Sequence, residues 1–154
     1  MNPNAKIPAL VDDVTTVFES GAILVYLAEK AGKFLPKAGQ ERASALSWLF
    51  FQIGGVGPMF GQLGWFLSHE PTDIAAVARY KKETERLYAV LDKRLSQAPF
   101  LANEYGVADM ATFGWAKGYD HYGVSPGSIP HVKKWVDRVA DRPAVQRAMA
   151  KKPK

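Results

Sequence analysis

The sequence predicts a mainly α-helical protein opened by one short β-hairpin, and three observations carry that expectation. From about Gln40 to the end, apolar residues recur at helical spacing. Before that point, two β-rich runs, Ile7 to Val11 and Thr15 to Phe18, are separated by the turn-forming pair Asp12-Asp13. Start and stop signals then divide the helical part, with Pro71, Pro130 and Pro143 opening periodic stretches and Pro99 closing one. A packed core is available, because 47% of the 154 residues are hydrophobic and 12% are aromatic.

A helix is expected immediately after the hairpin. Ala22, Ile23, Tyr26 and Leu27 fall on one face, and Gly32 stands where a helix C-terminal glycine belongs. Lys33 to Gly39, with Pro36, reads as a linker. The next helical region runs from about Gln40 through the aromatic block Trp48-Leu49-Phe50-Phe51 to about Leu67, with a kink expected at Pro58. Pro71-Thr72-Asp73 restarts a helix whose apolar stripe is Ile74, Val77, Leu87, Tyr88, Leu91 and Leu95. Gly106-Val107-Ala108-Asp109 opens another that reaches Trp115. Ser128-Ile129-Pro130 opens one carrying Val132, Trp135, Val136 and Val139, and Arg142-Pro143-Ala144 starts a last short one. The expected organisation is a hairpin plus helix over residues 1–32, a linker over 33–39 and a bundle of about five helices over 40–154.

Composition excludes several functions. With no cysteine there is no disulfide, thiolate zinc site or cysteine nucleophile, and His69, His121 and His131 show no metal-ligand spacing, so no metal is expected. The start of the chain lacks a secretory pattern, which points to the cytoplasm. Between Arg42 and His69 no residue is charged, yet five glycines, Pro58, Gln52 and Gln62 make a glycine-notched soluble helix the better reading than a membrane span. The net charge is +5, and residues 130–154 hold eight basic residues against Asp137 and Asp141, a net of +6. At helical spacing this reads as a solvated face, and no nucleic-acid partner is expected.

Glu19-Ser20 stands at the start of the first helix. A ligand carboxylate is well seated at a helix N-terminus, where free backbone N–H groups and the helix dipole meet it. Ser20 supplies an N–H and a hydroxyl there, and Glu19 suits an ammonium group, so the pair can read the free amino-acid end of a small peptide. Taken alone, Glu-Ser is a common, weak motif that reads first as a plain helix start. Ile7-Pro8 reads either as a cis proline in a tight turn or as a trans proline entering an edge strand. Arg79 by itself is a charge on a solvated helix face.

Several stretches resemble glutathione transferases. Asn2 to Val11 (NPNAKIPALV) resembles the loop and third strand of that family's thioredoxin-like domain, where the proline is cis. Phe18 to Leu24 (FESGAIL) resembles its Glu-Ser glutathione motif. Trp48 to Gly61 (WLFFQIGGVGPMFG) and Arg79-Tyr80 through Tyr88 resemble the bacterial nu class, and Ile129-Pro130 through Val145 resembles the closing helices. The resemblance spans essentially the whole chain. It implies an all-α glutathione transferase C-terminal domain over 40–154, preceded over 1–32 by part of a thioredoxin-like glutathione-binding domain. It implies glutathione as substrate, conjugation of small electrophiles or reduction of disulfides as the reaction, a homodimer as the assembly, and no membrane partner. Among site residues it implies Ile7 and Pro8 facing the cysteinyl unit, Glu19 and Ser20 holding the γ-glutamyl end, and Arg79 reaching in from the helical domain.

Two departures accompany it. The family's opening strand-helix-strand, with the residue that stabilises the thiolate, is not in this sequence, so no catalytic residue is assigned and reduced conjugation activity is expected. The hairpin is then expected to have a bare edge and weak local order over residues 1–18. The alternative function is a non-catalytic helical dimerisation or interaction module, using the hairpin edge and the face from Trp48 to Trp65. Second, Gly106 stands where the family's helix-capping box begins with serine or threonine, which glycine replaces at a cost of a few tenths of a kcal/mol, roughly.

Overall fold

A computed structural model describes residues 2 to 151. The fold is mainly helical with a single two-stranded antiparallel sheet among those residues, as the sequence predicts. Strand β1 (Ala9–Asp12) pairs with β2 (Thr15–Phe18), Ala9 opposite Phe18 and Asp12 opposite Thr15. The pairing starts at Ala9, two residues later than the periodicity suggests, because Pro8 has no N–H to join the ladder; the Ile7–Pro8 peptide is cis. Asp13 turns the chain at φ 52°, a left-handed conformation that aspartate tolerates better than most residues.

Helix α1 (Ser20–Ala31) follows without a linker and ends on Gly32 at φ 62°, with the Lys33 N–H returning to the Ala28 carbonyl at 3.1 Å. It packs on α5 (Val107–Ala116) and shares with α5 and α2 (Gly39–Phe51) a small core of Ala28, Leu35, Ala45, Leu49 and Val107. Gly21 lets it approach closely, since a Cβ there would lie 3.1 Å from the Ile53 side chain.

The long helical region breaks earlier than expected. After α2 comes a π-helical turn, Gln52–Val56, and then α3 (Gly57–Ser68), with Pro58 in its first turn. The irregularity therefore falls on Gly54-Gly55, which tolerate the wider turn, while Pro58 occupies a position where a missing N–H costs little. The turn after α3 contains a second cis proline bond, Glu70–Pro71, for which the sequence offers no signal.

Helix α4 (Ile74–Leu95) is capped by Asp73, whose Oδ1 accepts the Ala76 N–H at 2.9 Å. Its buried stripe is Thr84, Leu87, Tyr88, Leu91 and Leu95, whereas Ile74 is 80% exposed and stands outside the expected core. Helices α6 (Pro130–Ala140) and α7 (Pro143–Met149) complete the bundle. Phe60, Leu63, Tyr88, Val132 and Trp135 fill the main core between α3, α4, α5 and α6.

Asp109 organises the centre. Its carboxylate is fully buried and accepts the Leu101 and Gly106 N–H groups, each at 3.1 Å, and the Trp135 indole N–H at 2.8 Å. Gly106 caps α5 with half a capping box, because it has no side chain to return the bond. Here space decides: a Cβ on Gly106 would lie 2.5 Å from the Phe34 carbonyl oxygen, which accepts the Val107 N–H at 3.0 Å. Serine or threonine does not fit where two backbones approach so closely.

Three of the eight basic residues in the C-terminal run make contacts within the fold. Lys133 pairs with Asp137 at 2.6 Å, Arg138 donates to the Pro99 carbonyl at 2.6 Å, and Arg142 lies 3.6 Å over the Tyr105 ring. Lys152 and Lys154 lie outside the described residues. Among those described, no helix is long and apolar enough to cross a membrane.

Candidate functional site

The hairpin register brings Ile7-Pro8 and Glu19-Ser20 to one end of the sheet. Ala9 pairs with Phe18, so Ile7-Pro8, just before β1, and Glu19-Ser20, just after β2, leave the hairpin at the same end. All four are solvent-exposed, Ile7 at 95%. The cis bond at Ile7–Pro8 agrees with the reading of a tight turn rather than of a trans proline entering the strand.

Glu19 is the N-cap residue of α1, at φ 71° and ψ 124°, and no side chain caps that end of the helix. A non-glycine residue at positive φ is strained, and such residues cluster at ligand sites. The Ile23 N–H already bonds the Glu19 carbonyl at 2.9 Å, leaving the N–H groups of Ser20, Gly21 and Ala22 at the open mouth of the helix. Backbone donors, the Ser20 hydroxyl and the Glu19 carboxylate thus stand at the N-terminal end of α1. That set accepts a ligand bearing a carboxylate and an ammonium group close together.

Sequence reasoning treated Asp12 as a turn residue, but it holds the hairpin to α1. Its carboxylate accepts the Tyr26 hydroxyl at 2.9 Å and pairs with Lys30 one turn further along. Lys30 first, and then the Tyr26 hydroxyl, hold the Asp12 carboxyl below its usual range, and Asp12 in turn raises Lys30. The available signal was the i, i+4 spacing of Tyr26 and Lys30 on α1.

Arg79 belongs to the helical domain and not to the hairpin or α1. It is exposed on α4, which packs mainly against α3 and α6, and its charge helps to lower the carboxyl of Glu83, after the larger effect of Arg86. The aromatic face expected from Trp48 to Trp65 is narrower than the sequence suggests. Trp48 and Phe51 pack edge to face at 5.4 Å against the main core, leaving Phe50 63% exposed on α2 and Trp65 53% exposed on α3. Phe50 borders an apolar groove between α1 and α2 of about 610 Å³, lined by Val25, Leu46 and Ile53, with the Arg42–Glu29 ion pair at its rim. Among the described residues no three His, Asp or Glu side chains gather as a metal site would need.

Comparison with known proteins bears on both halves of this arrangement. The family model "Glutathione S-transferase, C-terminal domain" matches residues 56–143, and "Glutathione S-transferase, N-terminal domain" matches residues 1–29. The disulfide-bond oxidoreductase YfcG of Escherichia coli is 45% identical over 160 residues, covering 98% of this chain and 74% of that protein. The glutathione transferase YghU of Streptococcus pneumoniae, solved with glutathione, superposes with a TM-score of 0.90 at 37% identity, covering 99% of this chain and 64% of that one. A glutathione transferase of Pseudomonas putida, solved with one glutathione disulfide per subunit, superposes at 0.86 with 38% identity, covering 96% and 70%. This chain thus spans about two thirds to three quarters of these relatives. With the helical domain matched over most of its length and the hairpin and α1 matched as part of the N-terminal domain, the chain belongs to the glutathione S-transferase family.

Proposed function

We propose that this chain binds glutathione at the hairpin end of α1 and serves glutathione conjugation or glutathione-dependent disulfide reduction. The observation that carries the reading is the uncapped N-terminus of α1, with Glu19 strained at φ 71° beside it. The γ-glutamyl carboxylate sits on the N–H groups of Ser20 and Gly21, its ammonium meets Glu19, and the Ile7 backbone pairs with the cysteinyl unit. Bound glutathione in the solved relatives, and the disulfide chemistry in the name of YfcG, support this choice of ligand.

The chemistry is thiolate attack. In conjugation the glutathione sulfur bonds to an electrophilic carbon and the leaving group departs with its electron pair. In disulfide reduction it bonds to one sulfur of the target and releases the other as thiolate, the displaced thiolate taking a proton from water. The described residues hold and orient the tripeptide; none of them is assigned as the donor that stabilises its thiolate.

Residues 1–32 form the glutathione-binding part, 33–39 the linker and 40–154 the helical domain, with Arg79 as the helical domain's contact to glutathione. A second copy of the chain covers the α1–α2 groove, where exposed Phe50 and a charged rim suit a self-complementary interface. With no cysteine in the chain, a reducing cytoplasm is the fitting compartment.

Calorimetric titration with reduced glutathione tests the reading. Wild type binds, Glu19→Ala weakens binding about tenfold or more, a charge-assisted contact being worth about 1.5–3 kcal/mol, and Arg79→Ala weakens it less. Equal affinity in wild type and Glu19→Ala would refute the seat at α1.

A further inference from the structure

Helix α6 carries basic side chains in two different settings. Lys133 pairs with Asp137, four residues on, at 2.6 Å. His131, Lys134 and Arg138 instead follow one another at i, i+3 and i+7, so that Lys134 and Arg138 form a like-charged i, i+4 pair, an arrangement that costs a helix stability. Among the described residues Lys134 forms no ion pair. Nor are these charges needed to complement the nearby C-terminal end of α4, whose last turn already holds Lys93 and Arg94. They belong to the basic C-terminal run, with its net charge of +6, for which the glutathione reading has no use.

His131, Lys134 and Arg138 line a cleft of about 410 Å³ together with Ser96, Gln97 and Pro99 from the turn after α4. That volume falls within the range of small-molecule sites. Leu95 and Trp135 complete the lining, and none of the described residues in it is acidic. Both sides of the cleft are fixed before any ligand arrives. Asp92 of α4 accepts the His131 and Val132 N–H groups at 2.8 and 2.9 Å, which pins the start of α6 and leaves its helix dipole already answered. Arg138 donates through Nη1 to the Pro99 carbonyl at 2.6 Å, with its guanidinium 5.5 Å from the centre of the Phe100 ring. A guanidinium has five N–H donors, so that one bond leaves others for a ligand.

We infer that this cleft binds a small phosphate-bearing anion, the phosphate resting among Lys134, His131 and Arg138. Three basic side chains on one helix face match the three free oxygens of a phosphate monoester better than they match a carboxylate, and each contact is charge-assisted. Ser96 and Gln97 supply further polar groups on the other side, and the cleft has room beyond the phosphate for an organic body. The site lies at the C-terminal end of α4, within the helical domain, and is independent of the glutathione seat.

Calorimetric titration with phenyl phosphate at fixed ionic strength tests the inference, since salt screens any general attraction between exposed charges. Wild type takes up one equivalent saturably, and the Gln97 and Ala98 amide resonances move as it does. Lys134→Gln removes one charge from an exposed position and weakens binding about three- to tenfold. Lys82→Gln removes the same charge about 20 Å from Leu95 along α4 and leaves binding unchanged. Absence of saturable binding, equal losses in the two variants, or displacement of phenyl phosphate by glutathione would overturn the site. Phosphatidylcholine vesicles carrying phosphatidic acid present the same monoester on a surface. Capture by those vesicles, lost in Lys134→Gln and unaccompanied by binding of phenyl phosphate, would overturn the small-molecule ligand in favour of a lipid headgroup.

Discussion

In the bundle, Asp109 is fully buried and ties the Leu101 and Gly106 backbones and Trp135 together; at the hairpin, the exposed contacts of Asp12 with Tyr26 and Lys30 tie β1 to α1. The two carboxylates do similar geometric work in opposite surroundings. Burial pushes the Asp109 carboxyl up despite its three donors, while Lys30 and Tyr26 pull the Asp12 carboxyl down in water. An acceptor surrounded by buried donors is expensive to remove, whereas a solvent-screened pair contributes little to global stability. The bundle is thus the rigid part, and the residues proposed to hold glutathione sit on a lightly fastened edge beside it.

The largest effect is expected from Asp109→Ala, which leaves two backbone N–H groups and an indole buried without partners. Destabilisation of about 3–5 kcal/mol should appear in denaturant unfolding. Next comes Gly106→Ser. On capping preference alone it would stabilise α5, but the 2.5 Å approach to the Phe34 oxygen makes it destabilising, by about 1–3 kcal/mol. A stabilised Gly106→Ser would show that this crossing can relax.

The smallest effect on stability is expected from Asp12→Asn, yet it separates the regions most clearly. The thermal midpoint should scarcely move while amide exchange across β1 and β2 accelerates. Acid should act with opposite signs on the two carboxylates. Asp12 has a folded pKa below its ordinary value of 3.8, so its contribution is present above that value and is lost as pH falls through the folded pKa. Asp109 has a folded pKa above 3.8, so its contribution is largest below that value and declines as pH rises through the raised pKa. Hairpin amides should therefore lose protection on acidification, and that change should be absent in Asp12→Asn.

Helices α4, α6 and α7 were legible in the sequence because Asp73, Pro130 and Pro143 punctuate periodic stretches. The π-helical turn was not, since Gly54-Gly55-x-Gly57 carries no period, and the obvious breaker, Pro58, sits harmlessly in the first turn of α3. Gly106 looked like a weak cap because the reason for it, the Phe34 carbonyl, lies 72 residues away in sequence. At the candidate site, Ile7-Pro8 and Glu19-Ser20 were legible as motifs, and the hairpin register is what puts both at one end of the sheet. Asp12 gave only a turn signal, because its partners, Tyr26 and Lys30, lie on α1.

Thermal unfolding of wild type and Glu19→Gly, each with and without glutathione, tests the central claim that Glu19 is strained in order to bind. Without ligand, Glu19→Gly should be more stable by about 1 kcal/mol, because glycine adopts φ 71° without strain. With glutathione at about a hundred times its wild-type dissociation constant, wild type should gain roughly 2.7 kcal/mol and a variant weakened tenfold or more about 1.4 kcal/mol or less. A variant no more stable than wild type, and shifted equally by glutathione, would contradict the claim.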